Sequence, residues 1–215
     1  MATAGLWFVA GYLVGSVPVG LLVARAVGGI DIRRYGTGNI GASNVARNLG
    51  LLPGAVVGVV SFVQGAGPAW AAGALTGSPP AAAAAAVGSV AGYGWSLLVS
   101  FRGGRAVATA TGALAAMSPP GLVPLLALYA LGGLLRQPAV GVLSGMLAYL
   151  LYVRLLPHRP EVVAATALIV AIVVVKRLDG VRGDLRGRPG HRREILVGRL
   201  LFDRRPGQRL VGPND

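Results

Sequence analysis

Long apolar runs alternate with short polar segments over most of this 215-residue chain. A helix needs about 20 mainly apolar residues to cross the hydrocarbon core of a membrane. The runs therefore predict an all-α, polytopic membrane helix bundle of about seven spans over residues 1–180, followed by a basic, partly amphipathic cytoplasmic tail over 181–215. The apolar runs lie near residues 3–27, 53–75, 81–100, 107–118, 120–136, 138–156 and 161–178.

Three of these runs need separate interpretation. The fourth is short, and predicts either a re-entrant or half-length helix or the start of one long span that is broken at Pro119 and Pro120. The first lacks a basic start and contains internal Gly and Pro, so we interpret it as a retained span rather than a signal peptide. The third includes "PPAAAAAAVGSVAG", which predicts close helix packing through small residues.

The placement of charge predicts the topology. If the N-terminus is outside and the tail inside, all of the 20 Lys and Arg except Arg154 and Arg159 are cytoplasmic, as the positive-inside rule requires. The net charge of +13 is then a membrane-topology signal. A nucleic-acid face would need interleaved aromatics, and aromatics are only 6% of the chain, so we expect no nucleic-acid partner.

The first polar loop, "DIRRYGTGNIGASNVARNLG", has the composition of a phosphate site. Its glycines permit positive φ and close backbone approach, its short side chains add hydrogen-bond donors, and its arginines add positive charge. If "ASNVARNLG" begins a helix, the free N–H groups of that helix also favour an anion. Arginines that serve only to anchor the topology are the alternative. The candidate residues are Gly36, Thr37, Gly38, Asn39, Gly41, Ser43, Asn44 and Arg47.

The second polar loop, "FRGGRAVATATG", repeats this pattern before an apolar helix. It predicts a further anion contact at a helix N-terminus, although it is not a Walker A loop. Two such loops on one membrane face predict two phosphate groups bound together. Its candidate residues are Arg102, Gly103, Gly104, Arg105 and Thr109.

Several other chemistries are disfavoured. No Asp or Glu lies in the interior of a predicted span, since Glu161 is the first residue of the last one, and this argues against transport through a proton relay. The chain has no cysteine and no metal-ligand spacing, so we expect neither a metal nor a cofactor. Neither histidine begins an H-x-x-x-x-D motif. His191, in the tail, is one of only two histidines.

With these motifs, the sequence resembles the PlsY family of bacterial acyl-phosphate:glycerol-3-phosphate acyltransferases. The resemblance runs through "GSVPVGLLVAR", the first loop and "GWSLLVSFRGGRAVATATG", and weakens near His191. It implies a seven-span protein of the bacterial inner membrane whose active site faces the cytoplasm. It also implies transfer of a fatty acyl group from acyl phosphate to the 1-hydroxyl of glycerol 3-phosphate, giving lysophosphatidate.

The resemblance assigns roles in the first loop. The family's loop serine corresponds to Thr37 and its threonine to Ser43, and both positions keep a hydroxyl. The asparagine and arginine that follow are kept as Asn44 and Arg47.

In the second loop Gly103 and Gly104 match the family. Its lysine becomes Arg105, which keeps the charge but has a planar, forked geometry. The family's tail histidine corresponds to His191. The resemblance thus implies catalytic roles for Thr37, Arg47, Arg105 and His191, and substrate contacts for the other loop residues named above.

The chain also departs from the family. The family has an Asp-x-x-Lys-Gly pattern in the second span, where this chain has Ser61 in place of the aspartate and Gln64 in place of the lysine. The other replacements are Tyr93 for a histidine, Ala106 for a glycine and Glu194 for an asparagine in the tail. We expect an acyltransferase in the lipid bilayer, with a non-catalytic relative that binds lipid or an anion as the alternative and a small-solute transporter as a third, disfavoured interpretation. The oligomeric state stays open, with a monomer compatible with the sequence.

Overall fold

The computed structural model describes residues 2–179, in which nine α-helices and three short 3₁₀ turns carry the fold. The helices are α1 (Ala2–Gly15), α2 (Val19–Gly28), α3 (Ala42–Leu49), α4 (Leu51–Thr76), α5 (Pro79–Gly94), α6 (Val107–Met117), α7 (Leu122–Leu134), α8 (Pro138–Leu155) and α9 (Pro160–Arg177). Each of the seven apolar runs is helical, so the prediction of an all-α membrane bundle is confirmed.

The first run forms two helices, α1 and α2, because Pro18 interrupts the backbone ladder. A break in lipid is tolerated only where other groups satisfy the freed carbonyls. Gln64 of α4 does this, since its Nε2 donates to the carbonyls of Val14 and Val17 at 2.8 and 3.0 Å. Ser96 donates to the carbonyl of Ser16. The kink is thus held by neighbouring helices.

Glycines bring α1 and α5 into backbone contact. A Cβ added at Gly15 would lie 2.0 Å from the carbonyl oxygen of Ser89, and one at Gly92 would lie 2.1 Å from that of Tyr12. Gly11 and Gly88 show the same close approach one turn away. The expectation that "PPAAAAAAVGSVAG" packs through small residues is confirmed. Close packing of this kind drives helix association where lipid removes the hydrophobic force.

The fourth run is a short helix rather than half of one long span. α6 has 11 residues and rises about 16 Å. The chain then turns at Pro119–Gly121, and α7 runs back so that Tyr129 Oη lies 3.5 Å from Thr111 Oγ1. The Tyr149 hydroxyl of α8 lies within hydrogen-bond distance of the carbonyls of Leu114 and Ser118, at 2.7 and 3.2 Å, and its single proton can serve one of them at a time at the end of α6.

The outer surface is apolar. Leu134 and Leu155 are each 81% exposed, together with many other large hydrophobic side chains. In water such a surface would promote aggregation, whereas lipid covers it. Within residues 2–179, four segments are long and apolar enough to span a membrane, namely Ala2–Gly28, Leu51–Thr76, Pro79–Val99 and Pro138–Leu155. α6 and α7 are shorter, and α9 carries charges at both ends. The chain is a multi-pass membrane protein, while the count of seven crossings stays a prediction.

Candidate active site

The first loop is organised by the side chain of Asn44. This residue is only 1% exposed, and its Oδ1 accepts a hydrogen bond of 2.9 Å from the N–H of Thr37. Its Nδ2 lies within hydrogen-bond distance of three backbone carbonyls, two of which its two protons can serve at once. These carbonyls belong to Ile32, Tyr35 and Asn39, at 3.3, 3.0 and 2.9 Å. Asn44 therefore fixes the shape of the loop, while its predicted contact with a phosphate stays a prediction.

Two of the three candidate glycines of this loop have the positive φ that the sequence suggested. Gly36 and Gly38 have φ of 52° and 68°, in the left-handed region that favours glycine. The expectation fails at Gly41, where φ is −80° and the residue caps α3 in an extended conformation. The Thr37 Oγ1 accepts from the N–H of Asn39 at 3.4 Å, and this contact tightens the turn.

The loop begins with an ion pair. Both carboxylate oxygens of Asp31 accept from the Arg33 guanidinium, with a shortest contact of 2.6 Å. These hydrogen bonds lower the pKa of Asp31 from 3.8 to about 2. They likewise raise the pKa of Arg33. Arg33 is consequently engaged with its own loop.

The second loop is held by contact with α5. The N–H of Gly104 donates to the carbonyl of Tyr93 at 3.1 Å. A Cβ at Gly103 would lie 2.0 Å from that same carbonyl oxygen, and one at Gly104 would lie 3.0 Å from Asn39 Oδ1 of the first loop. The two glycines thus permit close packing that brings the loops together. Ala106 precedes α6 with φ of 57°, a left-handed conformation unusual for alanine.

Both loops open onto one cavity of about 490 Å³. The N-terminal ends of α3 and α6 face it, as the sequence predicted for an anion site. One part of its wall is polar and another is formed by apolar side chains of the spans. The lining residues are Asn39, Gly41, Ala42, Ser43, Arg47, Gly58, Phe62, Tyr93, Arg105, Ala106, Val107, Ala108, Thr111, Leu126, Tyr129, Pro138, Ala139, Val142 and Arg177.

Five predicted site residues meet in this cavity: Asn39, Gly41, Ser43, Arg47 and Arg105. Arg47 and Ser43 are exposed at its rim and Arg105 is half-buried.

The other predicted residues that the structure describes lie outside the lining. The backbone turns and internal hydrogen bonds of the first loop involve Gly36, Thr37, Gly38 and Asn44. In the second loop, Gly103 and Gly104 pack against the end of α5. Thr109 is buried against α4, and Arg102 is exposed away from the cavity. His191 and Glu194 lie outside the described residues.

Sequence reasoning missed four lining residues with polar side chains. Tyr93 was noted only as a departure and Tyr129 only as part of an apolar run, while Thr111 belonged to the second anion motif but was not among its candidate residues. Arg177 was interpreted as a topology signal at the end of the last span, yet it is 5% exposed and lines the cavity. A basic residue in the last turn of a span was the available signal, and the sequence alone could not show which way it pointed.

The departures at Ser61 and Gln64 lie outside the cavity lining. Gln64 donates hydrogen bonds to backbone carbonyls at the kink of the first span. Ser61 is buried next to the Tyr93 side chain. Two neutral side chains therefore occupy the buried positions at which the resemblance implied a carboxylate and a lysine.

These features define a class: a multi-pass, all-helical membrane protein with a cationic cavity between two glycine-rich loops. Residues 5–183 match the model of a family described as glycerol-3-phosphate acyltransferase. A Geobacter sulfurreducens glycerol-3-phosphate acyltransferase is 37% identical over 172 residues, 80% of this chain and 88% of that protein. A Trichlorobacter lovleyi protein of the same name is 35% identical over 187 residues, 86% of this chain and 96% of its own length.

Solved structures agree with this match. The crystal structure of PlsY, an integral membrane glycerol 3-phosphate acyltransferase, in its glycerol 3-phosphate form superposes with a TM-score of 0.76 at 28% identity. The match covers 86% of this chain and 93% of that one. Its lysophosphatidic acid form gives a TM-score of 0.74. The chain belongs to the glycerol-3-phosphate acyltransferase family, and the expectation that it is an acyltransferase is confirmed.

Proposed function

We propose that this enzyme transfers a fatty acyl group from acyl phosphate to the 1-hydroxyl of glycerol 3-phosphate, giving lysophosphatidate for phospholipid synthesis. The match to PlsY structures in glycerol 3-phosphate and lysophosphatidic acid forms supports the acceptor and the product. The donor follows from the resemblance to the PlsY family and from the chemistry of the cavity.

The observation that carries the proposal is the charge of the cavity wall. Three arginines line it, Arg47, Arg105 and Arg177, and no Asp, Glu or His is among its lining residues within 2–179. The N-terminal ends of α3 and α6 add partial positive charge. A site built in this way favours ligands with several negative charges, and two phosphates have that character.

The apolar wall accounts for the acyl chain. Phe62, Leu126 and Val142 belong to three different helices and face the same cavity. A donor with its phosphate among the loops and its chain along these side chains would match both parts of the wall. Burial of each methylene contributes about 0.8 kcal/mol to binding.

The reaction then needs positioning and charge stabilisation more than a side-chain nucleophile. The 1-hydroxyl oxygen bonds to the acyl carbonyl carbon, and the bond from that carbon to the phosphate oxygen breaks. The phosphate leaves with the electron pair and accepts the hydroxyl proton. Arg47 and Arg105 stabilise the charge on the departing phosphate, with Asn39 and Ser43 as hydrogen-bond donors. In this scheme the N–H groups at the start of α3 assist in the same way.

We place the active site on the cytoplasmic face of the bacterial inner membrane. The charge asymmetry of the sequence supports this orientation, since both loops belong to its arginine-rich side. We also propose catalytic roles for Thr37 and His191. The remaining loop residues would help to form the phosphate sites, and they are Gly36, Gly38, Asn44, Arg102, Gly103, Gly104 and Thr109.

The test is release of phosphate from acyl phosphate by the purified protein in lipid. We expect release only when glycerol 3-phosphate is present, with lysophosphatidate formed in equal amount. Arg47→Ala should lower kcat/KM about tenfold, because a charge-assisted contact at an exposed rim is worth about 1.5 kcal/mol. Arg34→Ala, an exposed arginine outside the lining, should change it little. Release that does not depend on the acceptor would indicate hydrolysis and contradict acyl transfer, whereas no release with phosphate binding intact would favour the non-catalytic alternative.

A further inference from the structure

A second polar cluster on the cavity wall comes from the helices α6, α7 and α9. Arg177 ends α9, Tyr129 lies in α7 and Thr111 in α6, and all three line the cavity. We propose that these residues form a separate subsite for a phosphomonoester, with Arg177 as its main contact. That this ligand is one of the two reactants rests on the proposed function. The subsite itself is argued from geometry and charge.

Thr111 and Tyr129 come from the consecutive helices α6 and α7, and Arg177 comes from the end of α9, far along the chain. The Thr111 and Tyr129 hydroxyls are 3.5 Å apart, and the Arg177 guanidinium lies close enough to Tyr129 to interact electrostatically. The Thr111 hydroxyl donates to the carbonyl of Val107 at 2.9 Å. The Tyr129 contact is at the limit of hydrogen-bond length, so its proton can turn to an anion. The cluster therefore offers a phenol and a forked guanidinium, which suits a phosphate.

The position of Arg177 is fixed by the residue before it. The ammonium of Lys176 lies 5.2 Å from the centre of the Trp95 ring and pairs with Asp179. These contacts hold the last turn of α9 against the end of α5 and direct Arg177 to the cavity side. Arg177 is 5% exposed, whereas Arg47 is exposed at the rim. The new subsite is thus the more enclosed part of the cavity, where water screens charge less.

The charge balance supports two phosphates rather than one. A phosphomonoester carries about −1.5 to −2 at pH 7, which Arg47 and Arg105 alone can match. Arg177 adds a third positive charge to a wall without carboxylates among its described lining residues. A second phosphate on the α9 wall would balance it. This division also separates two like-charged ligands within one cavity.

The ligand has two possible sources, glycerol 3-phosphate and the phosphate of the acyl donor, and steady-state kinetics distinguishes them. Arg177→Gln should raise the KM for one of them roughly tenfold to a hundredfold and leave the other within about twofold. Arg177→Lys should recover part of the loss, and Tyr129→Phe should give a smaller rise for the same reactant. Arg25→Gln, an exposed arginine outside the lining, is the matched control.

Binding of inorganic phosphate, measured by calorimetry in detergent, keeps this proposal separate from the proposed function. If the enzyme shows no acyl transfer but binds phosphate, Arg177→Gln should still weaken that binding while Arg25→Gln does not. Equal rises in both KM values, a change in kcat alone, or phosphate binding unaffected by Arg177→Gln would overturn the subsite.

Discussion

The two loops that reach the cavity are built in different ways. The first is held from within, by one buried amide, Asn44, and by two glycines with positive φ. The second is held from outside, by contact of Gly103 and Gly104 with the end of α5. The second also contains non-glycine residues in the left-handed region, at Ser100, Phe101 and Ala106. Both nevertheless deliver an arginine to the same wall.

The two loops therefore differ in which contacts fix their conformation. A loop with its own hydrogen-bonding centre keeps its shape without neighbours, so its composition is informative by itself. A loop that depends on a neighbouring helix shows only glycines and arginines in sequence. Its conformation includes backbone strain that the surrounding packing must offset.

The largest effect is expected from Asn44→Ala. It leaves buried carbonyls and the Thr37 N–H without partners, and each such group costs about 1–3 kcal/mol. We expect at least about 3 kcal/mol less stability in detergent unfolding, and faster amide exchange over residues 31–41. Asn48→Ala, which removes donors to Asn44 alone, should cost about 1 kcal/mol. Equal losses for the two variants would remove Asn44 as the centre of the loop.

Gly103→Ala tests how the second loop is held. The new Cβ would lie 2.0 Å from the carbonyl oxygen of Tyr93 and 2.5 Å from that of Gly94, so the loop must move away from α5. We expect a loss of about 2–3 kcal/mol and lower activity, because Arg105 moves with the loop. Gly133→Ala, whose Cβ meets nothing within 4 Å, is the control. Normal activity in Gly103→Ala would show that contact with α5 does not position Arg105.

Ala106→Gly is expected to stabilise the protein, in contrast to the two preceding variants. With φ at 57°, alanine is strained where glycine is not. After the greater entropy of glycine in the unfolded chain is subtracted, we expect a gain of about 0.5–1 kcal/mol. Ala108→Gly, two residues later inside α6, should instead lose about 0.5–1 kcal/mol. Thermal unfolding of the pair measures both, and a loss in Ala106→Gly would contradict the strain.

The smallest effect concerns the ion pair that begins the first loop. The hydrogen bonds that Arg33 donates to the Asp31 carboxylate lower the pKa of Asp31 from its ordinary 3.8 to about 2. Asp31 therefore stabilises the folded chain above pH 4, and this contribution is lost as the pH falls through about 2. The stability gap between the native protein and Asp31→Asn should be under about 1 kcal/mol at pH 6 and should narrow towards pH 2. A gap that does not change with pH would exclude the pair as its cause.

The sequence by itself determined the class of fold and the location of the chemistry. Apolar runs of sufficient length can only be helices in lipid, because each backbone group must be satisfied within its own segment. Glycines, short donors and arginines are local signals, and in the first loop their partners are also local. The positive φ of Gly36 and Gly38 and the start of α3 were accordingly predictable.

The tertiary structure decided everything that depends on which way a helix faces. Arg177 lines the cavity because Lys176 anchors the last turn of α9 on Trp95. Gln64 donates to the carbonyls of Val14 and Val17 at the kink of the first span, 50 and 47 residues earlier in the chain. Asn44 was assigned to a ligand from its residue type and from the family resemblance, and only the tertiary structure showed that its side chain is bonded within the loop. Such roles depend on contacts between distant segments, and residue type and spacing along the chain do not specify them.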